Sequence, residues 1–209
     1  MLWDLDGVLV DSRRHHFAAF RQLLREHGRE LSEEEFAPLF GLRNDAILAR
    51  LFGELTPERE GSLAMRKESI FRALIAGRVE ALPGAVELVG RIAGAGIVQA
   101  IVSSTPRANI NLILRSLGLA HHFAAIVADE DVTEGKPDPQ GFLLAAERLG
   151  VAPEGCVVIE DAPEGIEAGN AAGMRTIGVT TTRTPEQLAH ATLVADGPHD
   201  PRVAAFLLD

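Results

Sequence analysis

The rhythm of hydrophobic and polar positions changes once along this chain. From about residue 13 to residue 81 the apolar positions recur at helical spacing. Phe17, Phe20, Leu23, Leu24 and His27 fall on one stripe, which Gly28 ends. Ser32-Glu33-Glu34-Glu35 reads as a capping box, with Ser32 at the N-cap and Glu35 reaching back, and its acids favour the positive end of a helix. Residues 43–52 form a short amphipathic stretch stopped by Gly53, and Thr56-Pro57 opens a longer helix that runs to Gly77.

After Pro83-Gly84 the pattern alternates. Apolar runs of strand length at 97–102, 124–128, 156–159, 176–179 and 193–195 are separated by helical periods at 85–93, 106–117, 139–149 and 163–172. Continuous apolar strands interleaved with helices predict a parallel sheet covered on both faces, and Met1-Leu2-Trp3 reads as one more strand of it. The expected fold class is therefore α/β: a doubly wound parallel sheet from residues 1–12 and 82–209, with an all-helical domain inserted at 13–81. Only three residues precede Asp4, so this first strand is expected to be short, with Trp3 supplying bulk at its end, unless the native start lies upstream.

Composition narrows the partners. The chain has 209 residues, 46% hydrophobic and 24% charged, which suits a sizeable core. A formal net charge of -10 argues against nucleic acid or an anionic membrane as the main partner. No apolar run approaches the roughly 18 residues of a membrane span, and no basic stretch followed by an apolar one marks a signal peptide. Cys156 is the one cysteine, read as a buried strand residue; an internal disulfide is excluded, and a cytoplasmic location is expected. A monomer or weak homodimer is expected.

In doubly wound sheets, ligands sit beyond the carboxyl ends of the strands. Asp4, Asp6 and Gly7 follow the first strand, and Ser103, Ser104 and Thr105 follow the run at 97–102. Glu160 and Asp161 follow the run at 156–159. The loop after 124–128 carries Asp129, Glu130 and Asp131, then Gly135-Lys136-Pro137-Asp138-Pro139. Four carboxylates in one crevice raise each other's pKa unless a cation sits among them, and oxygen-only ligands suit Mg²⁺. Asp4, Asp6, Glu160 and Asp161 carry four negative charges; Mg²⁺ and Lys136 together return three, leaving room for a phosphate dianion. Ser103 can donate its hydroxyl to a phosphoryl oxygen, and the backbone N–H groups of Asp6, Gly7 and Ser104 can do the same. In an extended segment, residues two apart share a face. Asp4 can then attack phosphorus while Asp6 protonates the leaving oxygen and later activates water. Gly7 lets the chain turn away sharply.

The residues have bland readings too. Asp6-Gly7 is an ordinary turn dipeptide, and Asp161-Ala-Pro-Glu164 reads as an N-cap with a capping box. Ser104 and Thr105 are equally suited to capping the next helix. His15-His16 and His121-His122 look like metal pairs, but neighbouring side chains diverge on a helix, which favours packed or solvated histidines.

Asp4-Leu5-Asp6-Gly7-Val8, Ser103, Lys136 in Gly-Lys-Pro-Asp-Pro, and Glu160-Asp161 in VIEDAPEGIEAGNAAGM resemble, in order and spacing, the four motifs of the haloacid dehalogenase superfamily. The resemblance covers essentially the whole chain and is nearest to the branch of phosphatases and β-phosphoglucomutases with a helical cap between the first two motifs. From Ser103 to Lys136 is 33 residues, too short for an α/β cap inserted there. The resemblance implies that Asp4 is the phosphorylated nucleophile and Asp6 the acid/base. It also implies that Asp4, the main-chain oxygen of Asp6, and Asp161 with Glu160 position Mg²⁺. Asp6 argues against dehalogenation, since the namesake dehalogenases lack that aspartate; phosphonate-cleaving relatives also depart from this motif. Within the cap the resemblance implies a substrate-facing role for His16, Lys67 and the loop carrying Arg43 and Asn44. The mutases carry an arginine at the position of Asn44, with Arg43 one residue earlier here, a departure from the mutase pattern.

The expected activity is a Mg²⁺-dependent phosphatase for a small phosphorylated metabolite, sugar-phosphate-like, in which the cap closes over the substrate and excludes water. The alternatives are a β-phosphoglucomutase-type mutase and a non-hydrolysing phospho-acceptor module. Against the module stand the long insertion and the placement of Asp6.

Overall fold

A computed structural model describes residues 1–208. Six strands form one parallel sheet in the order β3-β2-β1-β4-β5-β6, with β1 Leu2–Trp3, β2 Ala100–Val102, β3 Ala125–Val127, β4 Val157–Glu160, β5 Arg175–Val179 and β6 Leu193–Ala195. This is a doubly wound order whose switch point lies between β1 and β4, the place beyond the strand ends where such sheets bind ligands. The connecting helices are α5 Ala85–Gly94, α6 Arg107–Ser116, α7 Gln140–Leu149 and α8 Pro163–Ala171, with α9 Pro201–Leu208 closing the described chain.

The first strand is short, as expected, and buried. Leu2 pairs with Ala100 and Val158, and Trp3 with Ile101 and Ile159. Trp3 is fully buried, and its indole N–H donates to Gln99 Oε1 at 2.9 Å, so the bulky residue beside the switch point has its polar atom satisfied. The strand expected at 97–102 begins only at Ala100, because the Ile97 N–H turns back to the Ile92 carbonyl to close α5. Cys156 lies in the core formed by Leu2, Ala100, Val102, Val127, Phe142 and Val158.

The chain divides into two compact units, Met1–Asp11 with the chain from Glu80 on, and Ser12–Val79. The second unit is helical: α1 Arg13–Arg25, α2 Glu33–Phe36, α3 Asn44–Phe52 and α4 Pro57–Ile75. The Ser32–Glu35 capping box forms in both directions, and Thr56 caps α4 by accepting from the Arg59 N–H. His27, expected on the buried stripe, lies past the end of α1 and is exposed, while His15 and His16 are buried. His121 and His122 sit on a single 3₁₀ turn rather than an α-helix, and their ring centroids lie 4.0 Å apart instead of diverging. Among the described residues no helix is long and apolar enough to cross a membrane.

Candidate active site

The turn after β1 sets the site. Three N–H groups, those of Val8, Leu9 and Val10, converge on the Leu5 carbonyl, which folds residues 5–10 into a tight turn. Gly7 takes φ +87, a region that favours glycine. The Gly7 N–H, expected to face phosphate, donates instead to the Val10 carbonyl at 2.9 Å, because the turn needs that bond to close. The ladder continues past β1 when the Asp4 N–H donates to the Ile159 carbonyl at 3.0 Å. Register therefore sets Asp4 beside Glu160, the last residue of β4.

Lys136 joins the two. Its Nζ lies 2.5 Å from Asp4 Oδ1 and 2.5 Å from Glu160 Oε1, with the Val102 carbonyl at 3.3 Å. The loop that carries it is folded by Gln140, whose Oε1 accepts the N–H groups of Thr133 and Glu134, and by Asp138, whose Oδ1 accepts the N–H of Gln140. Glu160 Oε2 accepts the backbone N–H groups of Asp161 at 2.9 Å and Ala162 at 3.0 Å. Both oxygens of this buried carboxylate are thus held. Gly165 of α8 leaves space for it, since a Cβ there would stand 2.0 Å from the Glu160 carboxyl.

Asp161 is not the N-cap of α8. That position is Ala162, without a side-chain bond, and the Asp161 carboxylate accepts instead from the Thr182 hydroxyl. The helix starts one residue later than the capping-box pattern suggests, which turns the Asp161 carboxylate toward Gly7 and Thr182. Ser104 and Thr105 do not cap α6 either, since its N-cap is Pro106. Ser103, buried, accepts the Thr105 N–H on its Oγ at 3.2 Å. The Thr105 hydroxyl donates to Asp6 Oδ2 at 2.6 Å.

The electrostatics follow from burial. Burial pushes the Asp4 carboxyl well above its ordinary value; Lys136 opposes this, while Glu160, Asp161 and Asp6 add to it. Burial and then the neighbouring Glu160 raise Asp161 to about 7, against the pull of Thr182 and Lys136. Burial works to lower Lys136, but Asp4 and Glu160 prevail and hold it above the ordinary lysine range. Asp4, Glu160 and Asp161 each offer a carboxylate oxygen, all within 4.8 Å of one another. Three buried carboxylates this close make an all-oxygen donor set that fits a hard divalent cation.

Asp4, Asp6, Gly7, Ser103, Lys136, Glu160 and Asp161 are thus brought together by backbone geometry and short bonds. Sequence reasoning missed Thr181 and Thr182, whose hydroxyls donate to the Gly7 carbonyl and to Asp161. The sequence leaves Thr105 open between capping the next helix and touching substrate, and does not indicate its contact with Asp6. The only signal for the first pair is the hydroxyl-rich run Thr180-Thr181-Thr182 directly after β5.

His16, Asn44 and Lys67 meet within the helical unit. Lys67 Nζ lies 2.9 Å from His16 Nδ1 and 2.7 Å from Glu68 Oε1, which also accepts from Asn44 Nδ2 at 2.7 Å. Arg43 Nε stands 3.7 Å from Asp45 Oδ2. His16 stacks on Phe71, with ring centroids 4.1 Å apart.

A parallel doubly wound sheet with carboxylates from two adjacent strand ends, a bridging lysine and a serine loop defines the class of hydrolases with an aspartate-based α/β core. Within that class the family model for haloacid dehalogenase-like hydrolase matches residues 1–179, and the chain belongs to that family. It is an enzyme of the family's phosphatase type. Fructose-1-phosphate phosphatase YqaB of Escherichia coli (strain K12) is 34% identical over 183 residues, covering 86% of this chain and 95% of that protein. Beta-phosphoglucomutase of Bacillus subtilis (strain 168) is 33% identical over 187 residues, covering 86% of this chain and 82% of that one. A crystal structure of beta-phosphoglucomutase from Clostridium difficile is similar with a TM-score of 0.86 at 29% identity, covering 99% of this chain and 95% of that one.

Proposed function

We propose that the protein hydrolyses the phosphomonoester of a small sugar-phosphate-like metabolite through an aspartyl phosphate on Asp4, with Mg²⁺ as cofactor. The observation that carries this reading is the buried carboxylate of Asp4, held by Lys136 beside Glu160 and Asp161 at the strand switch point. Asp4, Asp161 and the main-chain oxygen of Asp6 would hold Mg²⁺. Glu160, whose oxygens are engaged by Lys136 and two backbone N–H groups, would brace them. The cation, when bound, would neutralise charge on the phosphoryl oxygens.

Asp4 attacks phosphorus and the ester P–O bond breaks. Protonated Asp6 gives its proton to the leaving oxygen, so an alcohol departs. Water then attacks the phosphorus of the aspartyl phosphate and gives a proton back to Asp6. Asp4 leaves as a carboxylate, and hydrogen phosphate is released. Ser103 and Lys136 would hold the phosphoryl oxygens.

The substrate class is supported by the name of the fructose-1-phosphate phosphatase relative. A second reading, transfer of the phosphoryl group back to a sugar hydroxyl, is favoured by the mutase relatives. Against it, the position of the mutase arginine is Asn44, which is engaged with Glu68. Assay of phosphate release from a panel of sugar phosphates, with and without Mg²⁺, tests the proposal. Asp4→Asn should abolish turnover, and full activity in that variant would contradict the mechanism. Fast glucose 6-phosphate formation from glucose 1-phosphate and a hexose bisphosphate, with little phosphate released, would favour the mutase.

A further inference from the structure

We infer that Thr105 is a positioning residue that orients the Asp6 carboxyl for proton transfer. This rests on the acid/base role proposed above for Asp6.

Thr105 is 6% exposed and comes from a part of the chain remote from Asp6 in sequence, at the end of the loop after β2. Its hydroxyl reaches Asp6 Oδ2 at 2.6 Å. Its backbone is held on both sides: the N–H donates to Ser103 Oγ at 3.2 Å, and the carbonyl accepts the Asp129 N–H at 3.3 Å. Pro106 follows, which biases Thr105 toward extended backbone. The next residue, Arg107, gives its N–H to the Glu130 carboxylate at 3.1 Å. The hydroxyl is therefore presented by a rigid frame, so it can orient a carboxylate with little loss of entropy.

A hydroxyl has one proton to donate. Given to Oδ2, that proton fixes the orientation of the Asp6 carboxyl. Asp6 so oriented gives a proton to the leaving oxygen and recovers one from the attacking water. Thr105 thus acts on the orientation of the carboxyl and makes no bond to the reacting atoms. The same N–H of Thr105 bonds Ser103, so one residue fixes both the acid/base and the serine expected to hold phosphate. A backbone bond survives side-chain substitution, which separates the two effects.

The test is a double-mutant cycle on the full-length enzyme with the best substrate of the panel, reading kcat, KM and single-turnover formation and breakdown of the phospho-enzyme. Thr105→Val keeps shape and removes the donor. It should lower kcat by about 10- to 100-fold with KM little changed, as expected for a misoriented acid/base. Thr105→Ser should restore most of the rate. In an Asp6→Asn background, Thr105→Val should add almost nothing, because the two residues act as one unit. Wild-type kcat in Thr105→Val, a Thr105→Ser enzyme as slow as Thr105→Val, or full multiplication of losses in the double variant would each overturn the proposal. Failure of the underlying reading has a different signature: Asp4→Asn or Asp6→Asn would retain wild-type turnover.

Discussion

A β-carbon on Gly7 would stand 2.1 Å from Asp161 Oδ2, so the two residues share the crevice only while position 7 has no side chain. Gly7 also takes φ +87, which an L side chain resists. Gly7→Ala must therefore move either the turn that aims Asp6 or the carboxylate of Asp161. Its kcat/KM should fall at least about 100-fold, the scale of an ångström-level misplacement. Phosphate release and Mg²⁺ titration of this variant check both consequences, and turnover at the wild-type level would contradict the packing.

Asp161 also sets a pH dependence. Burial and the neighbouring Glu160 raise its folded pKa to about 7. In the unfolded chain an aspartate titrates near 3.9. Between these values the folded protein holds a proton that the unfolded chain has lost, so stability of the metal-free protein falls as pH rises from about 4 to about 7. A cation requires the ionised carboxylate, so its binding expels that proton and strengthens as pH rises. Thermal unfolding with and without Mg²⁺ should show a small upward shift in Tm at about pH 5 and a larger one at about pH 8. A shift of equal size at both would argue that Asp161 is not titrating in this range.

The acidic and basic members of this site were legible because strand periodicity locates the carboxyl ends of a parallel sheet, and ligands gather there. Asp4, Lys136, Glu160 and Asp161 each follow or end an apolar run. The threonines were not legible as contacts. A hydroxyl after a strand serves equally as helix cap, turn former or donor to a distant carboxylate, and only tertiary placement chooses among them. Thr105 was open between capping and the site, and Pro106 took the cap. For Asp161 the Asp-x-x-Glu pattern predicts a cap beside the metal-positioning role, and only the cap fails, because the carboxylate turns to Thr182. The late start of β2 at Ala100 depends on how α5 ends, which apolar patterning does not encode.

Asp131 seals the sheet at β3, its edge strand. The outward carbonyl of Ile126 accepts from Arg107 Nη2 at 3.1 Å and Arg148 Nη1 at 2.6 Å, and Asp131 binds both arginines. Asp131 Oδ2 also accepts the outward N–H of Ala128 at 2.7 Å. An edge strand whose polar groups are engaged is a poor template for another strand. Asp131→Ala should cost about 1.5–3 kcal/mol, the range for hydrogen bonds to a charged group, and should favour concentration-dependent association. Denaturant unfolding and light scattering measure the two effects. Unchanged stability together with unchanged mass would show that the arginines hold the edge without it.

The helical unit carries its own buried ion pair. The side chains of Lys67 and Glu68 are 2% and 7% exposed, with Nζ 2.7 Å from Oε1. The ammonium also lies 4.7 Å from the Phe20 ring centroid and 5.4 Å from that of Phe71. Burial works to raise the Glu68 carboxyl, but Lys67 and then His16 outweigh it and hold the group below the ordinary range. Glu68→Ala would take a carboxylate away from a buried ammonium and from the Asn44 amide, so it should destabilise the protein by about 3–5 kcal/mol. Replacing both charges, as Lys67→Met with Glu68→Leu, removes the desolvation cost along with the attraction. That double variant should recover most of the lost stability. Urea unfolding of the two variants decides between this account and simple loss of packing: if the double variant is no more stable than Glu68→Ala, volume rather than charge governs the site.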